Sequence, residues 1–310
     1  MADRPAVSVI IPNRDCLRSL PRAIASVDGT QDVEIVVLDD GSTDGSREWL
    51  AAEAQRNARL RVLAVSGGGP AKARNLAIGA ARGRLLAFLN ARDCWHADKL
   101  PTQLGLHHAN ADLAFSFTDY REVDAAGADL GTGFAKWPCF QARYPTRAVP
   151  FVLDPDALAQ IYAEAVVVTF TVVARADLVR ELGGFDPDLP TTEAWDLWLR
   201  LAGRGRVGCV PRVLADRAVQ HGQGSAATMR GRVLGMRMIA ARHAATAERL
   251  NPRAARVFVA RLLNADADLA ATADRRWRAA WLRLNALRQA PNRQATRVAA
   301  GAVLHAMALA

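Results

Sequence analysis

The 310-residue sequence predicts an α/β protein: a mainly parallel, doubly wound sheet flanked by helices, followed by an all-α C-terminal extension. Three observations predict it. Apolar, largely β-branched runs at residues 7–11 (VSVII), 34–38, 60–65 and 85–89 have the composition of strands buried on both faces. Helical patterns at residues 17–27, 46–55 and 71–81 lie between them, and strand and helix alternating at this spacing wind a parallel sheet. After Val210 the strand signals stop, and Ala, Leu and Arg recur at helical spacing over residues 229–290, with Pro252 and Pro291 as breaks.

Ligands of such sheets sit beyond the carboxyl ends of the strands, which singles out the loops at residues 12–16, 39–45, 66–70 and 90–95. Residues 112–150 lose the pattern among Gly127, Gly131, Gly133, Pro138 and Pro145, and read as a long irregular segment. Residues 166–174 (VVVTFTVVA) read as a strand. A helix at residues 177–182 is closed by Gly183 and Gly184, and another covers residues 193–202. The expected organisation is one domain over residues 1–228, with halves at 1–111 and 112–228, and a helical extension over 229–310.

Hydrophobic residues make up 51% of the chain and charged residues 23%, the composition of a folded globular protein. Cys16, Cys94, Cys139 and Cys209 form no CxxC pair, so neither a disulfide framework nor a zinc site is indicated and a reducing cytoplasm is expected. MADRPAVSVIIP enters its first strand without room for a signal peptide, and no apolar stretch reaches the length of a membrane span. The net charge of +9 is uneven: residues 230–310 hold 15 arginines, no lysine and four acids, a balance of +11. The scarcity of lysine beside abundant alanine reads as coding bias, and nucleic acid is not an expected partner. For the basic helices, packing on the domain or pairing with another subunit is favoured over peripheral contact with an anionic membrane at its cytoplasmic face.

Neither GxxxxGK[ST] nor a GxGxxG after the first strand is present. Instead the second strand ends in LDDGSTDGS, residues 38–46. Adjacent carboxylates at a strand end repel one another and suit strands poorly, so Asp39 and Asp40 point to a ligand, or to one that caps the turn and one that faces solvent. Asp266 and Asp268 also spell DxD, but in an Ala-rich helical stretch where a solvated face is the simpler reading.

Taken in order, VSVIIP, VVLDDGSTDGS, GPAKARNLAIGAARG, LLAFLNARD, GGFDPDL, EAWDLWLRL and the late His221 resemble the signature segments of family 2 glycosyltransferases with the Rossmann-like GT-A fold. The resemblance implies transfer of a sugar from a nucleotide-sugar donor, usually UDP-linked, to an acceptor, usually with inversion and a divalent Mn²⁺ or Mg²⁺. It places Asp40 on the uracil ring N–H, Asp39 beside the base pocket, Pro12 at the nucleobase, and Arg14 where a stacking Tyr is common. Arg74 and Asn75 fall on the family's helix, Arg74 as a donor-binding residue with a packing and capping role as the alternative, and His221 approaches the diphosphate or metal.

Two segments depart from that pattern. Where carboxylates serve ribose and metal, this chain has Asn90 and Arg92, leaving Asp93 as the acid of the loop and the sole candidate metal ligand. A guanidinium repels a divalent cation and binds a diphosphate itself, so Arg92 implies metal-independent transfer or loss of function. Where a Glu-Asp pair supplies the catalytic base, the chain reads Glu193-Ala194. Glu193 is the nearest substitute, and Asp196 lies three residues on, close enough along a helix to face the same site. Two readings follow: an active glycosyltransferase with an unidentified acceptor, or a non-catalytic nucleotide-binding or scaffold protein of the same fold.

Overall fold

Residues such as Val7, Val9, Ile10 and Ile11 cannot be hidden by one covered face, and a sheet with helices on both sides buries them completely. The computed structural model describes residues 4–27, 32–65, 67–145, 148–189, 191–219, 226–291 and 293–307. The chain runs β1 (Val7–Asn13), α1 (Leu20–Ala25), β2 (Val33–Asp40), α2 (Ser46–Arg56), β3 (Leu60–Val65), α3 (Gly69–Ala80), β4 (Leu85–Phe88), β5 (Cys94–Trp95) and α4 (Lys99–Ala109). It continues through β6 (Leu113–Val123), β7 (Asp129–Thr132), α5 (Pro138–Arg143), β8 (Phe151–Val152), α6 (Ala157–Ala163), β9 (Val173–Arg175), α7 (Ala176–Glu181), α8 (Glu193–Ala202) and β10 (Arg206–Ala218). Four helices close it: α9 (Ala226–Leu250), α10 (Pro252–Thr272), α11 (Arg276–Gln289) and α12 (Arg293–Met307).

The strands described form one sheet in the order β3-β2-β1-β4-β9-β6-β10-β5, with β7 on β6 and β8 on β10. Pairing is parallel from β3 to β4, and β9 then lies antiparallel between β4 and β6. The order reverses at β1, which has β2 on one side and β4 on the other, so a crevice opens at the carboxyl ends of β1 and β4.

The expected class is present, with three local corrections. The irregular segment expected from residue 112 contains β6, an 11-residue strand near the middle of the sheet. Its pattern was broken by polar residues that the fold buries: Ser116 accepts from the Gln103 amide at 3.0 Å and contacts the His107 ring at 3.1 Å. Burial drives the His107 imidazole down to about 4, so this network is neutral. Only the end of residues 166–174 is strand, after a 3₁₀ turn at Thr169–Thr171. There side chains replace the ladder, with the Trp95 indole donating to the Phe170 carbonyl at 2.7 Å and Gln103 to the Thr171 carbonyl at 3.2 Å. Finally, β10 runs past Val210 to Ala218, because a register shift between Val210 and Val213 absorbs Pro211, which has no N–H to give.

The chain divides into two compact units. The sheet unit comprises Met1–Ala157, Val166–Asp188 and Glu193–Gln220. Its sheet runs through both expected halves, since β9 joins β4 to β6. The helical unit comprises Leu158–Ala165, Leu189–Thr192 and His221–Ala310. Within it Tyr162 stacks on Phe258 with ring centroids 4.1 Å apart, and Ala267, Ala270, Ala279 and Leu282 form a small-residue core. Asn251 caps α10 through the Ala254 N–H at 3.1 Å, with Pro252 in the first turn, so the expected break is a helix start. Asp266 and Asp268 pair with Arg237 at 2.8 Å and Arg283 at 3.0 Å, as structural charges.

Candidate active site

In-register parallel pairing sets Asn13, at the end of β1, beside Asp39 on β2. The Asn13 amide donates to Asp39 at 2.9 Å, the Ser42 N–H donates to it at 3.2 Å, and the Ser42 hydroxyl adds a third bond. Arg47 stands 3.6 Å from the same carboxylate. Asp15 accepts from the Thr43 N–H at 2.7 Å, and Asp44 from the Leu17 N–H at 2.8 Å and from Ser46. These acids lace the β1–α1 loop to the β2–α2 loop. Asp40, the next residue along β2, is 6% exposed, and its Oδ1 has no hydrogen-bond partner among the described residues. A buried acceptor left unmade costs about 1–3 kcal/mol, which a ligand N–H in this position would recover. Pro12 is half-buried on β1, and Arg14 is exposed at its end.

Across the crevice, the loop after β4 carries Asn90, Arg92 and Asp93. The Arg92 guanidinium is exposed, and its Nε donates to the Cys16 thiol at 3.2 Å, while that thiol faces the Arg14 carbonyl at 3.2 Å. Arg92 therefore spans from the end of β4 to the loop after β1, over the point where strand order reverses. Sequence reasoning missed Cys16, since a lone thiol carries no signal for such a role.

Asp93 is 4% exposed and its oxygens are taken: Asn90 donates to Oδ2 at 2.7 Å, and the Ala218 N–H to Oδ1 at 3.1 Å. It ties the loop to the end of β10. With Asn90 donating to it and cationic Arg92 adjacent, the three residues do not compose the hard-oxygen set that a divalent cation requires. His221, expected near the diphosphate or metal, lies outside the described residues.

Burial pushes the Asp93 carboxyl up to about 6, against the smaller pull of its hydrogen bonds and of Arg217 and Arg92. The folded state thus holds this proton more tightly than the unfolded chain does. Asp93 supports the fold most below its ordinary value of 3.8 and loses that support as pH rises through 6, a swing of up to ~3 kcal/mol. Urea unfolding between about pH 4 and pH 7 is expected to show this slope in the wild type and a flatter one in Asp93→Asn. Identical slopes would refute the assignment.

The third component lies on α3 and α8. Three glycines with positive φ, at Gly67, Gly68 and Gly69, lead into α3, whose N-terminus has no side-chain cap and no acid in its first turn. Asn75 on α3 bonds both ways to the Phe185 backbone, donating at 2.7 Å and accepting at 2.8 Å. A Cβ at Gly184 would fall 2.4 Å from the Asn75 oxygen, so this Asn and the Gly-Gly turn form one packing device. Arg74 lies 5.3 Å over the Phe185 ring and pairs with Glu193 at 3.3 Å. Burial lowers the Arg74 pKa, the Glu193 charge opposes that, and Nε has no partner among the described residues.

Glu193 and Asp196 do not converge on one site as their spacing suggested. Asp196 is fully buried and accepts from Arg200, one turn on, at 2.7 Å. Arg200 also donates to the Leu182 and Gly184 carbonyls, each at 2.7 Å, so it pins α8 to the turn after α7. The i,i+4 spacing of Asp196 and Arg200 was the sequence signal for this pair. Glu193, at the N-terminus of α8 with a side chain 15% exposed, is the carboxylate left near solvent.

An uncharacterized glycosyltransferase of Rickettsia felis is 28% identical over 218 residues, which cover 70% of this chain and 33% of that protein; the chain thus spans about a third of that relative's length. Among solved structures, S. aureus TarS residues 1–349 in complex with UDP matches 83% of this chain and 70% of its own, with a TM-score of 0.60 and 18% identity. The Pyrobaculum calidifontis mannosyltransferase PcManGT, in complex with GDP-Man and Mn²⁺, matches 99% of this chain and 81% of its own, with a TM-score of 0.62 and 20% identity. These likenesses carry the fold. The model of glycosyl transferase family 2 matches residues 8–165, just over half the sequence and the stretch that builds the crevice, and the chain belongs to that family.

Proposed function

We propose that the chain is an inverting glycosyltransferase that takes its sugar from a UDP-linked donor and works without a divalent metal. The observation that supports this reading is the buried Asp40 oxygen at the carboxyl end of β2, which has no partner among the described residues and in this reading accepts the uracil ring N–H. Asp39, Asp15 and Asp44 hold the loops around it, with Pro12 and Arg14 toward the base. Arg92 then takes the diphosphate, a task that its fork of donors suits and that Asn90 and Asp93 leave to it. The acceptor hydroxyl attacks the anomeric carbon from the face opposite the nucleotide, the bond to the diphosphate oxygen breaks, and Glu193 receives the hydroxyl proton. Support for a uracil base comes from TarS, which was solved with UDP; PcManGT was solved with GDP-Man and Mn²⁺, and the metal part of that pair is what Arg92 argues against here.

The Arg74–Glu193 pair favours a second reading, since a carboxylate held by arginine beside Ala194 also suits a protein that binds the nucleotide without turning it over. Calorimetry with UDP, followed by sugar release from a panel of UDP-sugars with Mn²⁺ or with EDTA, separates the two. UDP binding that weakens at least about 30-fold in Asp40→Ala, with turnover indifferent to EDTA, is the expected result. Binding without sugar release would select the second reading, and no affinity for any nucleotide would refute both.

A further inference from the structure

We propose that the outer face of α11, continued by α12, is a docking surface for an anionic lipid membrane. On α11, Trp277, Trp281 and Leu284 recur at i, i+4 and i+7 and are 57%, 62% and 42% exposed. The opposite side of the helix is the packed one, through Ala279, Ala280, Leu282 and Ala286. On α12, Val298, Leu304 and Met307 are likewise exposed, while Ala299 and Ala306 are buried. Two large indoles and several aliphatic side chains thus protrude from the helices that bear them.

The charge around this stripe is predominantly positive. From Arg275 to the C-terminus the chain carries seven arginines and no acid. The nearest acids are already paired within the helical unit, Asp266 with Arg237, Asp268 with Arg283 at 3.0 Å and Asp274 with Arg276 at 2.7 Å. Arg278 and Arg288, on the exposed face of α11, and Arg297 on α12 have no acidic partner among the described residues. Protruding tryptophans and leucines flanked by guanidinium groups suit the boundary between acidic headgroups and acyl chains, where an indole buries its ring and keeps its N–H near water. Each arginine near an anionic surface strengthens binding about fivefold.

Self-association fits the same face poorly. A two-fold interface sets a patch against its own copy, and here arginine would oppose arginine with no acid to relieve it. No described helix is long and apolar enough to cross a membrane, so the contact is interfacial.

Flotation of the full chain with vesicles of phosphatidylcholine alone, and with about one third phosphatidylglycerol, tests the proposal. Binding is expected to the anionic vesicles only and to weaken as salt is added. Trp277→Ser with Trp281→Ser, and separately Arg278→Glu with Arg288→Glu, should each lower it at least about tenfold with an unchanged melting temperature. Quenching of wild-type tryptophan fluorescence by brominated lipid gives a readout that needs no variant. Absence of binding to the anionic vesicles, equal binding to neutral ones, or a dimer by light scattering that the tryptophan substitutions dissolve would each overturn it.

Discussion

Replacing Arg92 with alanine is expected to lower kcat/KM for the nucleotide-sugar by about 10²–10³-fold, most of it in kcat, with no recovery on adding Mn²⁺. The guanidinium is exposed and, among the described residues, hydrogen-bonded to the Cys16 thiol alone, so removing it takes away a charge without opening the core. The diphosphate gains its leaving-group charge as the glycosidic bond breaks, and a cation fixed at that point stabilises the transition state more than the ground state. Arg92→Lys keeps the charge but loses the two-pronged geometry, and should recover only part of the rate. Full activity in Arg92→Ala would remove Arg92 from the diphosphate site.

For Glu193→Gln the expected loss is about 10²–10⁴-fold in kcat, with the affinity for UDP changed less than about threefold. The substitution keeps the shape of the side chain and an oxygen that can accept from Arg74, so the start of α8 should hold its place. What it removes is the capacity to take a proton from the acceptor hydroxyl. Asp196→Asn makes the contrasting control, since it strikes the Arg200 cluster and should lower the melting temperature with the rate following stability. Unchanged turnover in Glu193→Gln would place the base elsewhere. A gain of metal-dependent turnover in Arg92→Asp combined with Ala194→Asp would mark the two positions as decayed.

The strands legible in the sequence were those whose side chains are largely apolar on both faces, β1 to β4. β6 was not, because Ser116, Thr118 and Asp119 interrupt it, and Ser116 and Asp119 take partners from outside the strand, the Gln103 amide at 3.0 Å and the Phe134 N–H at 2.9 Å. The converse failure is at residues 166–174, where an apolar run met donors from Trp95 and Gln103 and gave up its ladder. Asp196 shows the same limit within the site: spacing placed it on the face of Glu193, and a salt bridge one turn on withdrew it.

The sequence by itself determined the family, the winding of the sheet, and the loops that reach the crevice, because these depend on local composition and on the order of segments. It also marked Asn90, Arg92 and Ala194 as departures. Which of two adjacent carboxylates keeps a free oxygen was decided only by the tertiary structure: Asp39 spends its lone pairs on Asn13 and Ser42, and Asp40 does not. Tertiary packing likewise set Arg92 on Cys16 and closed both oxygens of Asp93. Hydrogen-bond partners drawn from distant segments settle what a polar side chain has left to offer a ligand, and that remainder is a property of the folded chain.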